Sequence, residues 1–577
     1  MKYLFAKGSR VRVLSAILVL GTGIIIVRLF QLQVVDHQKY VAMAYREQVK
    51  KLTIPAKRGL IYATDGDAIV PLVMNNTVYT MFVDPQLIKK TEDEQAIIQA
   101  MSEQRIKTDG VRDKITHKQS RYQVIGQNIS RKQAEALKEK KLIGVGFQAV
   151  SQRVYPENQL ASQLLGFVNT NGGQYGLEGY LNKRLSGTDG MLEAVTDVSA
   201  VPLSVGDAYT NIPAKNGDNL VLSIDRNIQS RIEQILKSGI ERTGATNGSV
   251  LVMNPQNGQV MAMANYPSYN VAEYAKTENI ALFNNPIVDQ PYEVGSVAKV
   301  FTVAMGINEG VISAATQFYN QDCIKVFDRT ICNAFRGKTG TITMQEALQY
   351  SLNTGMINII SRLGDGSIGR SARDIMYNYL HNKFRLGRVT DVELPEAKGT
   401  IIAPTEIEGN AVRYSNMSFG QGMDLTMMQA ASAFSAIING GKYYQPTLIR
   451  GTYNDKRFVE RAAKLVADDV VKSTTSDQVR QMLIDARKLY YAKIDKAGYQ
   501  IGGKTGTSEK LVDGKYTDDQ TIATYLGFGG ATNRPKYVIM VRLDGKEKFL
   551  AGNTDAAPIF TEISNWLIDY LKIYPKE

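Results

Sequence analysis

"YQIGGKTGTSEK", residues 499–510, is followed by the apolar runs "TIATYLGFG" from Thr521 and "KYVIMVRLD" from Lys536, and then by "APIFTEISNWLIDYLKIY" from Ala557. Short apolar runs rich in β-branched and aromatic residues, separated by turn signals such as Asp513-Gly514, predict three strands; the last stretch predicts a helix. Upstream, "LVLSID" from Leu220 reads as a strand and "RNIQSRIEQILKSGIER" as an amphipathic helix. "GSVLVMNPQNGQVMAMAN" reads as two strands joined by a turn at Pro255 to Gly258. A long, mostly helical middle separates the two strand groups. Strands, a helical block, strands and a closing helix predict one α+β domain over residues 216–577, its sheet built from both ends of that segment.

The quoted stretch also poses a problem, because Lys-Thr-Gly-Thr occurs twice, at Lys504 to Thr507 and at Lys338 to Thr341 in "RGKTGTITM". The second copy sits among strand patterns. The first is followed by Thr343 and Glu346, a capping box that starts a helix, and that helix leads into Ser351. Lys338 is therefore read as part of the approach to Ser351, without a strand pattern, thirteen residues before it. Lys504 is the copy placed to do chemistry.

The chain's 577 residues are 44% hydrophobic, enough for several domains with a large core. Its net charge of +12, from 68 basic and 56 acidic residues, suits a membrane surface or an anionic wall polymer. Nucleic acid would match that charge as well, but the N-terminus points elsewhere. Lys2, Lys7, Arg10 and Arg12 precede an apolar run from Val13 to Val27, and with Arg28 snorkelling the helix continues to Val35. Residues 1–12 are expected in the cytoplasm, 13–35 in the membrane and the rest outside. A cleaved signal peptide is the rival reading, its nearest small-x-small site being Ala42-Met43-Ala44, well past the apolar run. Residues 36–215 form a mixed region with strand-like "TVYTMFVD" and helical "SRKQAEALKEKKL", ending in the polar stretch 205–219. Cys323 and Cys332 are spaced to face each other across a short hairpin, as a disulfide or as two free thiols.

"YEVGSVAKVFTVAMGINEG", from Tyr292, places Ser296 and Lys299 one helical turn apart at the start of a helix that Gly310 ends. A serine so placed is a nucleophile with the lysine as its base, provided burial or a second cation lowers the lysine pKa. Ser-x-x-Lys alone is common by chance. Here Ser351-Leu352-Asn353 and a later Lys-Thr-Gly accompany it. None of the three histidines, His37, His117 and His381, adjoins a candidate nucleophile, which argues against a Ser-His-Asp triad and a histidine-rich zinc site. Gly420-x-Gly422 reads as a packing turn and Asp518-Asp519 as a solvated loop.

The ordered set "SVAK", "SLN", "KTGT" resembles the penicillin-interacting serine transferases. "RGLIY", "RVYP", "LLGFV", "GLEGYLNKRLSGTDG", "LVLSIDRNIQ", "FGQGMDLTMMQAASAFSAIINGG" and the final "AAPIF" extend the similarity to class B penicillin-binding proteins over the whole chain. Two stretches depart from the family pattern. Ala63-Thr64-Asp65-Gly66 stands where Asp-Arg-Asn-Gly is usual, and Val294-Gly295-Ser296-Val297-Ala298-Lys299 where Pro-Gly-Ser-Thr-x-Lys is usual. The resemblance implies a membrane anchor, an elongated mixed α/β pedestal of the dimerisation-like type, and a transpeptidase domain with a five-stranded antiparallel sheet flanked by helices. It implies a cofactor-free, metal-free peptidoglycan D,D-transpeptidase of the septal, FtsI type, inhibited by β-lactams and working beside an FtsW/RodA-like glycosyltransferase and division proteins. By the same resemblance Ser296 attacks and Lys299 takes its proton. Asn353 holds Lys299 and the substrate amide, Ser351 relays a proton, and Lys504 supplies positive charge. Thr505 and Thr507 offer hydroxyls, Gly506 lets substrate approach the strand, and the N–H groups of Ser296 and Thr507 form the oxyanion hole. An elongation transpeptidase, a carboxypeptidase or β-lactamase of the same fold, and a non-catalytic division scaffold are the alternatives.

Overall fold

The computed structural model describes residues 7–40, 43, 49–195, 210–454, 457–512, 515–531 and 534–575. Asp513-Gly514, Ala42, Ala44 and residues 205–209 lie outside these. Helix α1 (Lys7–Phe30) runs into a π-helical turn, Gln31–Val35. Its apolar span, Arg10–Val35, has 26 residues and a mean hydropathy of 2.4. At 1.5 Å per residue it measures about 39 Å, enough to cross the roughly 30 Å hydrocarbon layer of a membrane.

Two units are distinguished. The smaller comprises residues 1–58 and 186–217. In it strand Val49–Ile54 pairs antiparallel with Gly190–Val195, which pairs with Thr210–Ile212. The larger comprises residues 59–185 and 218–577. Strand Ile61–Asp65 pairs antiparallel with the long strand Ala68–Val83 and parallel with β1 (Leu220–Asp225). Much of the region read as a pedestal thus shares a sheet with the segment that opens the catalytic half. The charged helix foreseen there is Arg131–Glu139, started by a Ser130–Gln133 capping box.

After β1, α2 (Arg226–Thr243) is capped by the Asp225 carboxylate, which accepts from the N–H groups of Asn227 and Ile228. The catalytic half then contains β2 (Asn247–Met253), β3 (Val260–Tyr266), α3 (Lys299–Asn308), α4 (Met344–Gln349), α5 (Asn353–Leu363), β4 (Gln500–Val512), β5 (Lys515–Gly530), β6 (Tyr537–Asp544) and α6 (Ala557–Tyr570). The five strands form an antiparallel sheet in the order β3-β2-β6-β5-β4. Both ends of the catalytic half therefore contribute, as the sequence predicts, and β4 is left at an edge.

Strand alternation sorts the sheet into two cores. Val250, Val252, Tyr525, Ile539 and Val541 pack with Ile232 and Leu236 of α2 and Phe560 and Ile563 of α6. Leu251, Met263, Leu526 and Met540 turn the other way, into a second core with α3 and the wholly buried helix Met427–Ile438. Asp518 and Asp519 lie within β5 and not in a loop. The β4–β5 hairpin continues past the catalytic region, with Lys510 opposite Thr517 and Val512 opposite Lys515.

Candidate active site

Ser296 lies in a 3-10 turn, Gly295–Ala298, that leads directly into α3, and Gly310 beyond the helix end has φ +74°. Gly295 has φ +59°, and a Cβ there would stand 2.8 Å from the carbonyl oxygen of Thr507. Only glycine meets both demands, so the nucleophile turn presses directly on β4. The Gly295 N–H donates to the carbonyl of Gly420 at 3.2 Å, so the Gly420-x-Gly422 segment supports the turn from behind.

Lys299 is completely buried. Its Nζ donates to the Ser351 carbonyl at 2.5 Å and to Ser351 Oγ at 3.1 Å. Ser351 has φ +56°, the left-handed region that a non-glycine residue occupies at a cost of order 1–3 kcal/mol. This contact differs from the expectation that Asn353 holds Lys299. Asn353 begins α5, and its Nδ2 donates instead to the carbonyl of Cys332 at 2.9 Å.

Lys504 is 4% exposed, and its Nζ donates to the Thr505 carbonyl and hydroxyl at 3.0 and 3.2 Å. Burial pushes the Lys504 pKa down from 10.5 to about 7. Burial, and then the charge of Lys504, hold Lys299 well below 10.5. Desolvation is the larger of two causes for Lys299 and the single cause for Lys504.

Gly506 also meets a packing demand. A Cβ on it would lie 2.6 Å from the Val294 carbonyl and 3.0 Å from Val297 Cγ2, so the missing side chain makes room for the nucleophile turn. Thr507 is exposed, and its Oγ1 accepts from the Gly552 N–H at 3.1 Å.

Tyr292 was not singled out by sequence reading. Its backbone bridges to Leu425, its hydroxyl meets Thr524 Oγ1 at 3.1 Å, and the Arg542 guanidinium lies 4.4 Å from its ring centroid. This strut ties β5 and β6 to the segment entering the Ser296 turn. A buried aromatic at that spacing carries no sequence signal that separates it from ordinary core.

Cys323 and Cys332 face each other in the hairpin Cys323–Val326/Arg329–Cys332, and their sulfurs are bonded. The first Lys-Thr-Gly-Thr departs from its reading in one respect. Gly340–Thr343 is a strand after all, paired with Gln317–Asn320, before the expected Thr343–Glu346 capping box starts α4. Three β-branched residues, Thr341 to Thr343, make too short a run to read as a strand without its partner. Lys338 lies just before this strand, its Nζ 4.2 Å from the ring centroid of Tyr350, the neighbour of Ser351.

The geometry unites Lys299, Ser351 and Lys504 beside the turn that presents Ser296, an arrangement suited to acyl transfer through a serine ester. Comparisons with known proteins agree with it. The penicillin binding protein transpeptidase domain model matches residues 248–565, and the penicillin-binding protein dimerisation domain model matches 53–222. The chain is 30% identical over 572 residues to stage V sporulation protein D of Bacillus subtilis, covering 96% of this chain and 84% of that one. It is 26% identical to the probable peptidoglycan D,D-transpeptidase PenA of Neisseria meningitidis serogroup A, over 98% of this chain and 93% of that one. Penicillin Binding Protein 2X from Streptococcus thermophilus shares the fold, with a TM-score of 0.74 at 22% identity, covering 91% of this chain and 80% of that one. With a transpeptidase domain, a dimerisation domain and a Ser-x-x-Lys pair whose lysine is buried, all in one chain, the protein belongs to the class B penicillin-binding proteins, the serine-type peptidoglycan D,D-transpeptidases.

Proposed function

We propose that this transpeptidase crosslinks stem peptides during septal wall synthesis, with Ser296 as nucleophile and Lys299 as its base. The observation that carries the reading is Lys299: buried and held by Ser351, with its pKa drawn well below the ordinary lysine value by burial and then by Lys504, it is suited to act as the base. Ser296 Oγ attacks the carbonyl of the penultimate D-Ala while Lys299 takes its proton. The oxyanion is received by the N–H groups of Ser296 and Thr507, whose segments touch at Gly295. The C–N bond breaks, terminal D-Ala leaves as the amine with a proton returned by way of Lys299 and Ser351, and Ser296 carries the acyl ester. An amine from a neighbouring stem attacks that ester, gives its proton to Lys299, and Ser296 is released as the hydroxyl.

Lys504, protonated, receives the substrate carboxylate together with the Thr505 and Thr507 hydroxyls. Asn353 faces the substrate amide with the part of its side chain that Cys332 leaves free. The cationic residues Lys7, Arg10 and Arg12 support an N-terminus in the cytoplasm and a catalytic domain outside. A membrane-embedded glycosyltransferase of the FtsW/RodA kind is the expected partner, supplying the strand to be crosslinked. The "FGQGMDLT" phrasing at residues 419–426 supports a septal over an elongation role.

The test is labelling with a fluorescent penicillin and mapping the modified residue. Stable labelling that Ser296→Ala abolishes supports the mechanism; labelling at another residue, or none, sinks it, and rapid turnover of the label points to a β-lactamase. The name of the sporulation relative favours one second reading, a transpeptidase devoted to a developmental stage. Depletion that leaves growing cells filamentous supports the septal role, whereas normal division with defective spores supports the developmental one.

A further inference from the structure

Lys338, the lysine of the first Lys-Thr-Gly-Thr, is held more firmly than an exposed loop lysine needs to be. Asn320, fully buried, donates from Nδ2 to the Lys338 carbonyl at 2.7 Å. Its Oδ1 accepts from Thr354 Oγ1 at 2.6 Å and from Asn333 Nδ2 at 3.3 Å, which fixes it to α5. One residue before Lys338, the Gly337 N–H donates to the Asp322 carboxylate at 2.6 Å. The backbone is thus held by buried Asn320 on one side and by the half-buried Asp322 on the other, while the side chain is exposed.

The ammonium group stands over the Tyr350 ring, and its charge reaches the Glu346 carboxyl, which hydrogen bonds from Thr343 and then Lys338 hold below the usual carboxylate range. Tyr350 directly precedes Ser351, whose carbonyl and hydroxyl hold Lys299. Arg336 and Phe335, both exposed, continue the same loop. The two copies of the motif thus place Lys504 on the edge strand, its charge acting on Lys299, and Lys338 in the loop before Ser351, over the Tyr350 ring. An exposed cation held in place by an aromatic ring suits a carboxylate. Crosslinking engages two stems. The donor's terminal carboxylate already has Lys504, and the incoming amine must reach Lys299 and Ser351 to lose its proton.

We propose that Lys338, seated on Tyr350, is a carboxylate-binding subsite for the acceptor stem peptide. The proposal rests on the transpeptidase reading of Ser296, and its test separates the two. Full-length enzyme and the variants Lys338→Ala, Lys338→Glu and Lys338→Arg are given a soluble donor pentapeptide ending in D-Ala-D-Ala. Two acceptor stems are compared, one with its acidic residue as the free carboxylate and one with that group amidated. Fluorescent-penicillin labelling at Ser296 measures the folded, acylable fraction of each variant and normalises the rates; if labelling fails in the wild type, it is the Ser296 reading that falls.

For Lys338→Ala the apparent KM for the free-carboxylate acceptor should rise about fivefold relative to the amidated one, as expected for an exposed charge pair. Lys338→Glu should increase that ratio further by like-charge repulsion, and Lys338→Arg should restore it. Equal changes for both acceptors, or none for either, overturn the proposal. So does a rise in the KM for the donor, measured as D-Ala release without acceptor, that accompanies no discrimination between acceptors, because the subsite would then serve the donor.

Discussion

Lys299 Nζ lies 2.5 Å from the backbone carbonyl of Ser351, closer than to the Ser351 hydroxyl at 3.1 Å. A backbone oxygen is thus the nearer partner of the lysine proposed as the base, and Ser351 presents it from a left-handed conformation. The two contacts respond differently to mutation. Ser351→Ala removes the hydroxyl but keeps the carbonyl, so Lys299 remains seated and loses only the relay. Second-order acylation by penicillin should fall by about 10-fold to 100-fold in Ser351→Ala, and by a larger factor, up to about 10⁴, in Lys299→Met. Stopped-flow acylation measures both. Equal losses would mean that the carbonyl contact contributes nothing to positioning the base.

Acylation should also show two opposed pH limbs. Lys504 must be protonated to receive a carboxylate, and with its pKa pushed down to about 7 by burial it loses its charge as pH rises through that value. Lys299 must be neutral, and its lowered pKa secures this on the alkaline side while leaving it to protonate at low pH. The rate constant for a carboxylate-bearing penicillin should therefore decline from about pH 7 upward and also fall toward acid. Lys504→Arg keeps its charge at every accessible pH, so it should abolish the alkaline decline and leave the acid limb. A decline that persists in the arginine variant would assign it to another group.

Ranking the two motif copies is a separate matter. Lys504→Ala removes the cation whose charge acts on Lys299, whereas Lys338→Ala removes one that stands over Tyr350, the residue before the Ser351 that contacts Lys299. Penicillin acylation should be slowed at least about 10-fold more by Lys504→Ala, since a preorganised charge at the reacting centre is worth about 2.7–4 kcal/mol when removed. The reverse ranking would exchange the roles assigned to the two lysines.

Much of this was legible in the sequence because it follows local rules. The strands of β2 to β6, the α2 helix, the Thr343–Glu346 capping box and the Ser296–Lys299 spacing are written in side-chain period and cap residues. What was not legible depends on close approach between segments distant in sequence. Nothing in Ser351-Leu352-Asn353 reveals that residue 351 has positive φ, or that Asn353 is engaged by a carbonyl of the hairpin. The strand Gly340–Thr343 is specified by its partner Gln317–Asn320 more than by its own four residues. Residues 59–185 read as a region apart because their sheet partners lie far along the chain, at Leu220–Asp225.

Gly506 illustrates how such an approach can be tested. Its absent Cβ would stand 2.6 Å from the Val294 carbonyl, inside any tolerable contact, and the obstructing atom is backbone that cannot rotate aside. Gly506→Ala should therefore separate β4 from the nucleophile turn and disturb both the oxyanion donors and Lys504. Acylation should drop by at least about 100-fold, the loss expected when an oxyanion donor is displaced, and Tm should fall. Retention of wild-type acylation would show that the turn is free to shift.

The hairpin closed by Cys323 and Cys332 is tied to Asn353 by one hydrogen bond, from Asn353 Nδ2 to the Cys332 carbonyl. A second bond, from the Thr354 N–H to Asn333 Oδ1 at 3.1 Å, fastens the same hairpin base to the start of α5. Reduction should add the mass of two hydrogens to the intact chain, and opening a loop of this size should cost about 2–3 kcal/mol of stability. If the hairpin acts on the site by orienting Asn353, then Cys323→Ser with Cys332→Ser and Asn353→Ala should each slow acylation, yet their combination should be little worse than Asn353→Ala alone. A double-mutant cycle on the acylation rate constant measures this coupling. Strictly additive losses would place the disulfide's influence elsewhere, in stability alone, and free Asn353 from any dependence on the hairpin.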